Sequence, residues 1–346
     1  MLRTTLAALL LATTTTAQHP PPDYGHNFIT IGDAGNPGWN REDPTMFFGG
    51  RGAVDYEYRI SEREVETRDW LEFTNTFTTQ SDELADFIGT PQRWGGKFDD
   101  FYTGPGDRYI LSPVIADAGR QHIDVSWRQA AYYVNWLHNG KSSDPSAIMS
   151  GAYDVSTFGF LDDGLTLTDQ TAHDPDAKFW IPTLDEWTKA GHWDPNKNGP
   201  GDGGWWLYNH GSDSPPVTGL PGEPGAQTSA IDVVANPDIT LDEIGMLANV
   251  PNGSYPETRS PWGLIDMTGG AGEWFEDLSN PDLRRRRRFS GGEAGGSTSA
   301  DLAYFINGTR PTAQAASFRV ASIVPAPGVG VILLLGGVAS LSTRRR

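Results

Sequence analysis

The sequence predicts an α+β domain in which few short strands and helices are joined by many ordered loops. It contains 41 glycines and 25 prolines in 346 residues, and both residue types favour turns over long regular elements. It also contains 12 tryptophans, 15 phenylalanines and 11 tyrosines, enough large side chains to fill a core. Neither a helical bundle nor a disordered chain has this composition.

Three helices are predicted from the polar residues that cap their N-termini and from apolar residues that recur on one face. Their starts and inward-facing residues are, in chain order, Thr67 with Trp70, Phe73 and Phe77; Ser126, capped by Gln129, with Ala130, Tyr133, Val134 and Leu137; and Thr183, capped by Glu186, with Leu184, Trp187 and Ala190. Strand-like runs occur at residues 57–60 and 318–323. There is no internal repeat and no linker long enough to force a second domain.

The N-terminal 17 residues have the order of a secretory signal peptide. Arg3 precedes an apolar run over residues 6–12, and small residues follow up to Ala17. The apolar run is too short to span a bilayer. We therefore expect an exported protein with a signal peptide at 1–17 and an N-terminal extension at 18–49.

The C-terminus, residues 324–346, predicts a membrane-proximal tail. Val324-Pro325-Ala326-Pro327 precedes an almost wholly apolar stretch over 328–341, and Arg344 to Arg346 close the chain. This order resembles the PEP-CTERM sorting tail of Gram-negative bacteria, with Ala326 at the position of the usual glutamate. The resemblance implies an exosortase-type sorting machinery as a partner and a cell-envelope or matrix location. A permanent single-pass anchor is the alternative.

Charge and cysteine content exclude several function classes. The formal net charge is −18, from 26 basic and 44 acidic residues, so nucleic acid is not an expected partner. The same charge suits cations, above all calcium, which prefers carboxylate and carbonyl oxygens. The chain has no cysteine, which excludes disulfides, thiolate nucleophiles and zinc–thiolate sites.

No catalytic residue is predicted from local motifs. The seven histidines are scattered, with no pair at i, i+2 or i, i+4 spacing, so a histidine-rich metal site requires assembly through the fold. Adjacent carboxylates are expected by chance among 44 acidic residues. A Gly-x-Ser-x-Gly elbow is absent, which disfavours a hydrolase triad.

Six blocks, in order over about residues 50–323, resemble the formylglycine-generating enzyme (sulfatase-modifying factor) family. They are Tyr58-Arg59-Ile60 with Glu64-Val65-Glu66-Thr67; Pro113-Val114 and Val125-Ser126-Trp127 leading to Asn135-Trp136-Leu137; Trp180-Ile181-Pro182-Thr183 with Glu186-Trp187; Gly263-Leu264-Ile265-Asp266-Met267 through Glu273-Trp274; Gly291-Gly292; and Phe318-Arg319-Val320. The resemblance implies a domain over 50–323 with that family's fold, a variant of the C-type lectin fold.

The family's enzyme oxidises a substrate cysteine with molecular oxygen, and it holds copper through two cysteines after its Gly-Gly-Ser motif. By spacing, Gly296 and Asp301 stand at those positions here. Copper(I) prefers soft thiolates, which carboxylates do not replace, so no copper is expected. We therefore expect a non-catalytic surface or matrix module that binds glycan or protein ligands. The alternative is an oxidase-type enzyme with a rebuilt, cysteine-free metal site in the same groove.

The resemblance also implies a calcium site in the loop 266–273. By correspondence with the family's ligands, the side chains of Asp266 and Glu273 and the carbonyls of Gly269 and Ala271 are expected to bind the ion. Asn249 is a candidate ligand of a second calcium site. The alternative interpretation is a glycine-rich turn in which backbone N–H groups satisfy both carboxylates.

Two further candidate sites come from residue type and spacing. Asp194, Asn196, Asn198 and Asp202 match the first nine positions of an EF-hand loop, but Trp205 stands where the bidentate glutamate is required, so a solvated turn is favoured. Candidate ligand contacts are Trp205 and Trp206, which lie in a polar glycine loop, and Arg319 in the groove. The run Arg284 to Arg288 is expected to enter a strand and to pair with nearby acids.

Overall fold

The computed structural model describes residues 21–39, 50–230, 238–290 and 307–324, and residues Pro22–Val324 form one compact unit. The predicted signal peptide, nearly all of the predicted sorting tail, and the positions of Gly296 and Asp301 lie outside the described residues. None of the helices in the described ranges is long and apolar enough to cross a membrane.

The described residues form a mixed α+β structure, as predicted, with short helices and small antiparallel sheets. The α-helices are α1 (Thr67–Thr78), α2 (Asp82–Ile88), α3 (Trp127–His138), α4 (Leu184–His192) and α5 (Leu241–Ala248). The strands are β1 (Phe28–Ile31), β2 (Tyr58–Ser61), β3 (Gly96–Phe98), β4 (Tyr109–Leu111), β5 (Phe179–Trp180), β6 (Trp193–Asp194), β7 (Gly204–Trp205), β8 (Glu273–Leu278), β9 (Arg287–Ser290), β10 (Asn307–Thr309) and β11 (Ala321–Ile323). They pair in the orders β1-β2-β11-β5, β10-β9-β8, β3-β4 and β6-β7.

The three predicted helices are confirmed. Helix α3 begins after Ser126, whose side chain accepts from the amide of Gln129, and Gln129 bonds back to Ser126 in a capping box. Thr183 and Glu186 make the same exchange at the start of α4. Satisfying the free amides of the first turn in this way fixes where each helix starts.

The core lies where α1 and α3 pack together through aromatic side chains. Trp70 and Phe73 of α1 meet Tyr133 and Trp136 of α3, with the rings of Trp70 and Tyr133 stacked at 5.8 Å between centroids. Trp70, Phe73, Phe77 and Tyr133 are fully buried. Full burial of such a side chain stabilises the fold by about 1.5–3 kcal/mol, so this contact anchors the elements that carry the candidate site.

The compact unit starts earlier than the predicted domain boundary at residue 50. Strand β1 lies in the segment predicted as an N-terminal extension, and it pairs with β2 from Phe28 opposite Ser61 to Ile31 opposite Tyr58. Ile31 is fully buried. The described part of the extension is therefore an edge of the largest sheet.

The arginine run enters a strand at Arg287, as predicted, but Arg287 does not bond to acidic side chains as expected. Arg287 is buried, and its guanidinium lies 3.7 Å from the centroid of the Trp127 ring. It donates to the backbone carbonyls of Gln170, Thr171 and Glu276, rather than to carboxylates. Peptide carbonyls at these loop ends need donors once buried, and only tertiary structure brings them to Arg287.

Candidate functional site

A buried ion pair joins two of the sequence blocks. Arg319 donates through Nε to both carboxylate oxygens of Glu273 at 3.0 Å, and the indole N–H of Trp187 donates to Glu273 Oε2 at 3.1 Å. The side chains of Arg319 and Glu273 are 0% and 2% exposed. Strand β8 starts at Glu273, and Arg319 lies just before β11, so the pair ties the two strands together.

The remaining donors of Arg319 bind backbone carbonyls. Its terminal amino groups donate to Ser61 at 3.3 Å, to Glu62 at 2.5 Å and to Ile265 at 2.7 Å. With all these donors bonded and the side chain buried, Arg319 has nothing to offer a ligand at the surface. Its prediction as a ligand contact is corrected to that of a structural cation.

The predicted calcium loop lies beside this pair. Asp266 adopts a left-handed backbone conformation, and its Oδ2 accepts from the amide of Gly253 at 2.6 Å. Burial raises the pKa of Asp266, while that hydrogen bond opposes the shift. Gly269 has a φ of +97°, and a Cβ there would lie 2.8 Å from the hydroxyl of Ser229, so the loop requires glycine at this position.

Glu64 adds a third carboxyl group that the sequence did not indicate as a site residue. Both of its oxygens are buried and have no hydrogen-bond partner among the described residues. Burial raises its pKa well above the usual value, repulsion from Glu273 raises it further, and Arg319 acts in the opposite direction. We call Glu64, Asp266, Glu273 and Arg319 the buried centre; it holds three carboxyl groups for one guanidinium.

His122 is a further buried side chain without a hydrogen-bond partner among the described residues. Neither ring nitrogen has a hydrogen-bond partner within the described ranges, and burial lowers its pKa to about 4. A Cβ on Gly270 would lie 3.8 Å from its Nδ1, so the ring borders the predicted calcium loop. Unpartnered buried nitrogens are costly, and they mark a place where an ion or water would be stabilised.

The side chains of the described residues do not by themselves form a ready-made metal site. Among the described residues there is no group of three or more His, Cys, Asp or Glu side chains placed to hold a metal ion. The carboxylate of Glu273 accepts hydrogen bonds from the side chains of Arg319 and Trp187, and that of Asp266 accepts one from the backbone amide of Gly253. The turn interpretation expected backbone donors for both carboxylates, so it agrees for Asp266 and differs for Glu273. Calcium in this loop stays a prediction.

The EF-hand-like segment is a hydrogen-bonded turn between β6 and β7. Asp194 accepts from the amide of Asn196 at 2.8 Å and from the indole N–H of Trp206 at 3.1 Å. The side chain of Asn196 accepts from the amide of Gly201 at 2.9 Å, and the Asn198 side chain donates to the carbonyl of Gly203. Because the side-chain oxygens of Asp194 and Asn196 accept hydrogen bonds within the turn, the solvated-turn interpretation is favoured. A role of Asp202 as a calcium ligand stays a prediction.

The two tryptophans of the glycine loop are engaged by the protein. Trp205 donates to the carbonyl of Pro37 at 3.1 Å, and it packs on Gly52 so closely that a Cβ there would lie 2.3 Å from the ring. The ammonium group of Lys197 lies 4.1 Å from the centroid of the Trp206 ring. Both tryptophans are half-buried, so their prediction as free stacking platforms is not favoured.

Asn249, the candidate ligand of a second calcium site, ends α5 instead. Its side-chain amide donates to the carbonyl of Gly245 at 2.6 Å, and its own carbonyl accepts from Gln121 at 3.1 Å. The residue is exposed. These contacts are those of a helix C-terminus.

Comparisons with known proteins give distant structural similarity only. No family model matches the chain, and no curated protein matches it. The chain is similar to the crystal structure of CarF, with 19% identity over 87% of this chain and 99% of that one, at a TM-score of 0.46. It is also similar to Treponema denticola variable protein 1, with 15% identity over 86% and 95% of the two chains, at a TM-score of 0.47. At these values neither similarity carries an argument about function.

Proposed function

We propose that the chain is an exported, non-catalytic binding module of the cell surface or extracellular matrix, built on a formylglycine-generating-enzyme-like fold. The observation that supports it best is the use of the family-like residues. Glu273 and Arg319, from two different blocks, bind each other in the core, and Glu186 of a third block binds Trp180 and the amide of Thr183. Residues that carry the resemblance thus fasten the scaffold rather than line an open reaction site.

The missing thiolates support the non-catalytic part of the proposal. The related enzyme chemistry needs two cysteines to hold copper, and this chain has none. The test is to incubate the purified full chain with copper and a cysteine-containing peptide, and to measure oxygen consumption and bound copper. We expect neither turnover nor stoichiometric copper. Oxidation of the peptide thiol would overturn the proposal.

The binding part is tested by screening the purified full chain against glycans and extracellular polysaccharides. We expect saturable binding to at least one glycan, because a module delivered to the surface without catalytic groups acts by holding a ligand. Secretion is tested by locating the chain in cell fractions and comparing it with a variant lacking residues 1–17. A chain that stays inside the cell and binds no glycan or surface protein would contradict this function.

Calcium is the ion we propose for the loop 266–273. Asp266, Glu273 and the carbonyls of Gly269 and Ala271 would hold it, and it would offset the excess negative charge of the buried centre. The unpartnered carboxyl group of Glu64 supports this choice, because a buried carboxylate without a donor or cation is costly.

Thermal unfolding in calcium and in EGTA tests this site. We expect calcium to raise Tm, by an amount that corresponds to about 2.7 kcal/mol at a hundredfold excess over Kd. Asp266→Asn should abolish the increase, while Asp194→Asn in the β6–β7 turn should keep it. Loss of the increase in both variants, or no increase in the parent chain, would contradict calcium at this loop.

One observation favours the alternative, an enzyme with a cysteine-free metal site. His122 lies beside the loop with both ring nitrogens unpartnered, and neutral imidazole is a common metal ligand. Elemental analysis of the purified chain and of its His122→Ala variant separates the two functions. Transition metal bound by the parent chain and lost from the variant would support the enzyme.

A further inference from the structure

A cavity of about 310 Å³ opens where the segment before α1 meets the N-terminal turn of the unit. Its lining includes three arginines and three acidic residues: Arg63, Arg68, Arg120, Glu64, Glu66 and Asp69. We call it the arginine cavity. In a chain whose formal charge is −18, three guanidinium groups equal the three acidic residues of this lining in number, so the cavity lacks the acidic excess of the chain as a whole.

Ion pairs fix where the three guanidinium groups lie. Glu66 bonds Arg63 through Oε1 at 3.3 Å and Arg68 through Oε2 at 3.0 Å. Arg120 donates to Asp117 at 2.7 Å and to the carbonyl of Asn252 at 3.2 Å. Held in this way, the arginines lose little conformational freedom when they bind a ligand.

Donor capacity remains for a ligand. The side chains of Arg63, Arg68 and Arg120 are 30%, 56% and 33% exposed. Arg68 uses only its Nε, towards Glu66 and the carbonyl of Gly119, so its two terminal amino groups make no bond to the part of the chain that the structure describes. A guanidinium presents its donors as a planar fork that matches a carboxylate.

The other polar groups of the lining select among anions. Glu66 and Asp69 supply carboxylate oxygens, which accept hydrogen bonds from hydroxyl groups and repel a multiply charged phosphate. The cavity volume is at the small end of ligand pockets, which run from about 300 to 1,000 Å³. A ligand with one carboxylate and several hydroxyl groups on a single ring satisfies the charge, the acceptors and the volume together.

We propose that the arginine cavity binds the carboxylate of an acidic sugar, a uronate unit of an extracellular polysaccharide. This inference rests on the proposed binding function and names its site and its class of ligand. The carboxylate pairs with the fork of Arg68, while Arg63 and Arg120 offset the acidic residues of the lining. The ring hydroxyls donate to the acidic residues of the lining.

The test is calorimetric titration of the full chain with a uronate oligosaccharide, a neutral glucose oligosaccharide of equal length and polyglutamate. We expect binding of the uronate oligosaccharide only, weakened by added salt. Arg68→Gln should lower its affinity about tenfold or more, the loss typical of one charge-assisted hydrogen bond. Arg93→Gln is the matched control, because Arg93 is 51% exposed and lies outside the lining; it should bind as the parent chain does.

The outcomes separate this inference from the function on which it rests. Binding of some other glycan that Arg68→Gln leaves unchanged would overturn the arginine cavity as the site and keep the binding module. Polyglutamate binding that is lost in Arg68→Gln would overturn the sugar and keep the cavity. If no glycan or surface protein binds, both are overturned.

Discussion

Arginine meets glutamate both in the buried centre and in the arginine cavity, and these two clusters differ in exposure although Glu64 belongs to one and lines the other. In the buried centre, Arg319 and Glu273 are 0% and 2% exposed, and each finds its hydrogen-bond partners inside the protein. In the arginine cavity, Arg68 is 56% exposed and its terminal amino groups are free of described protein partners. The same pair of residue types therefore fastens the fold in one place and leaves donors for a ligand in the other.

The largest effect is expected from Arg319→Ala. The substitution leaves Glu273 buried without its cation and removes the donor from three carbonyls. Breaking a buried pair by removing one partner costs about 3–5 kcal/mol. Urea unfolding measures this loss, with Arg93→Ala as an exposed control. A loss below about 1 kcal/mol, the range of surface pairs, would break the distinction between the two clusters.

Glu64→Gln tests the excess charge of the buried centre. The folded-state pKa of Glu64 is raised, so folding favours its protonated form. The contribution of Glu64 to the free energy of unfolding is therefore fully present below about pH 4 and is lost as pH rises through the raised pKa. The variant cannot lose that stability. In EGTA, we expect Glu64→Gln to equal the parent chain near pH 4 and to exceed it at pH 8, by about 1–3 kcal/mol for a relieved buried group.

Unfolding by urea at several pH values in EGTA makes the comparison. Glu64→Ala is a poor probe because it also opens a cavity, whereas glutamine keeps the shape. An equal pH dependence in the parent chain and in Glu64→Gln would contradict the raised pKa. With calcium present, the same variant should show a smaller calcium-dependent increase in Tm.

Much of the fold could be predicted because its signals are local. The capping boxes at Ser126 and Thr183 lie within four residues of the helices they start. The same signal at Thr240 and Glu243 precedes α5 and was available in the sequence, although we did not predict that helix. The edge strand β1 was not predicted because its partner β2 is distant in sequence.

The candidate site was less predictable, because its contacts are distant in sequence. Arg319 was expected to face a groove. Its side chain is instead buried in the core, where it bonds to Glu273, a residue 46 positions earlier in the sequence. Glu64 lies in the first family-like block and Arg120 in none of the blocks, yet neither carries a sequence signal that places it in its cluster. Burial decides their chemistry, and burial follows from tertiary packing.

Glu66→Gln would sharpen the comparison on the cavity side. Glu66 neutralises Arg63 and Arg68, so its removal should cost about 1 kcal/mol of stability for a partly buried pair. The same change should strengthen binding of a uronate oligosaccharide, because two guanidinium groups lose a competing carboxylate. Calorimetry compares it with Glu83→Gln on α2, which should leave affinity unchanged. Weaker binding in Glu66→Gln would show that its oxygens accept from the ligand more than they compete with it.

The smallest effect on stability is expected from Arg68→Gln. Its ion pair with Glu66 is exposed on the arginine side, and such pairs contribute about 0–1 kcal/mol. Urea unfolding should place the variant within about 0.5 kcal/mol of the parent chain. A loss of stability as large as that of Arg319→Ala would show that the arginines of the cavity also stabilise the fold.

The most direct test is to measure unfolding and ligand titration on the same preparation of Arg68→Gln. The account predicts a chain as stable as the parent that no longer holds a uronate oligosaccharide at concentrations that saturate the parent. Unchanged affinity, or a loss of affinity matched by a loss of stability, would contradict a ligand site whose arginines are distinct from the structural Arg319.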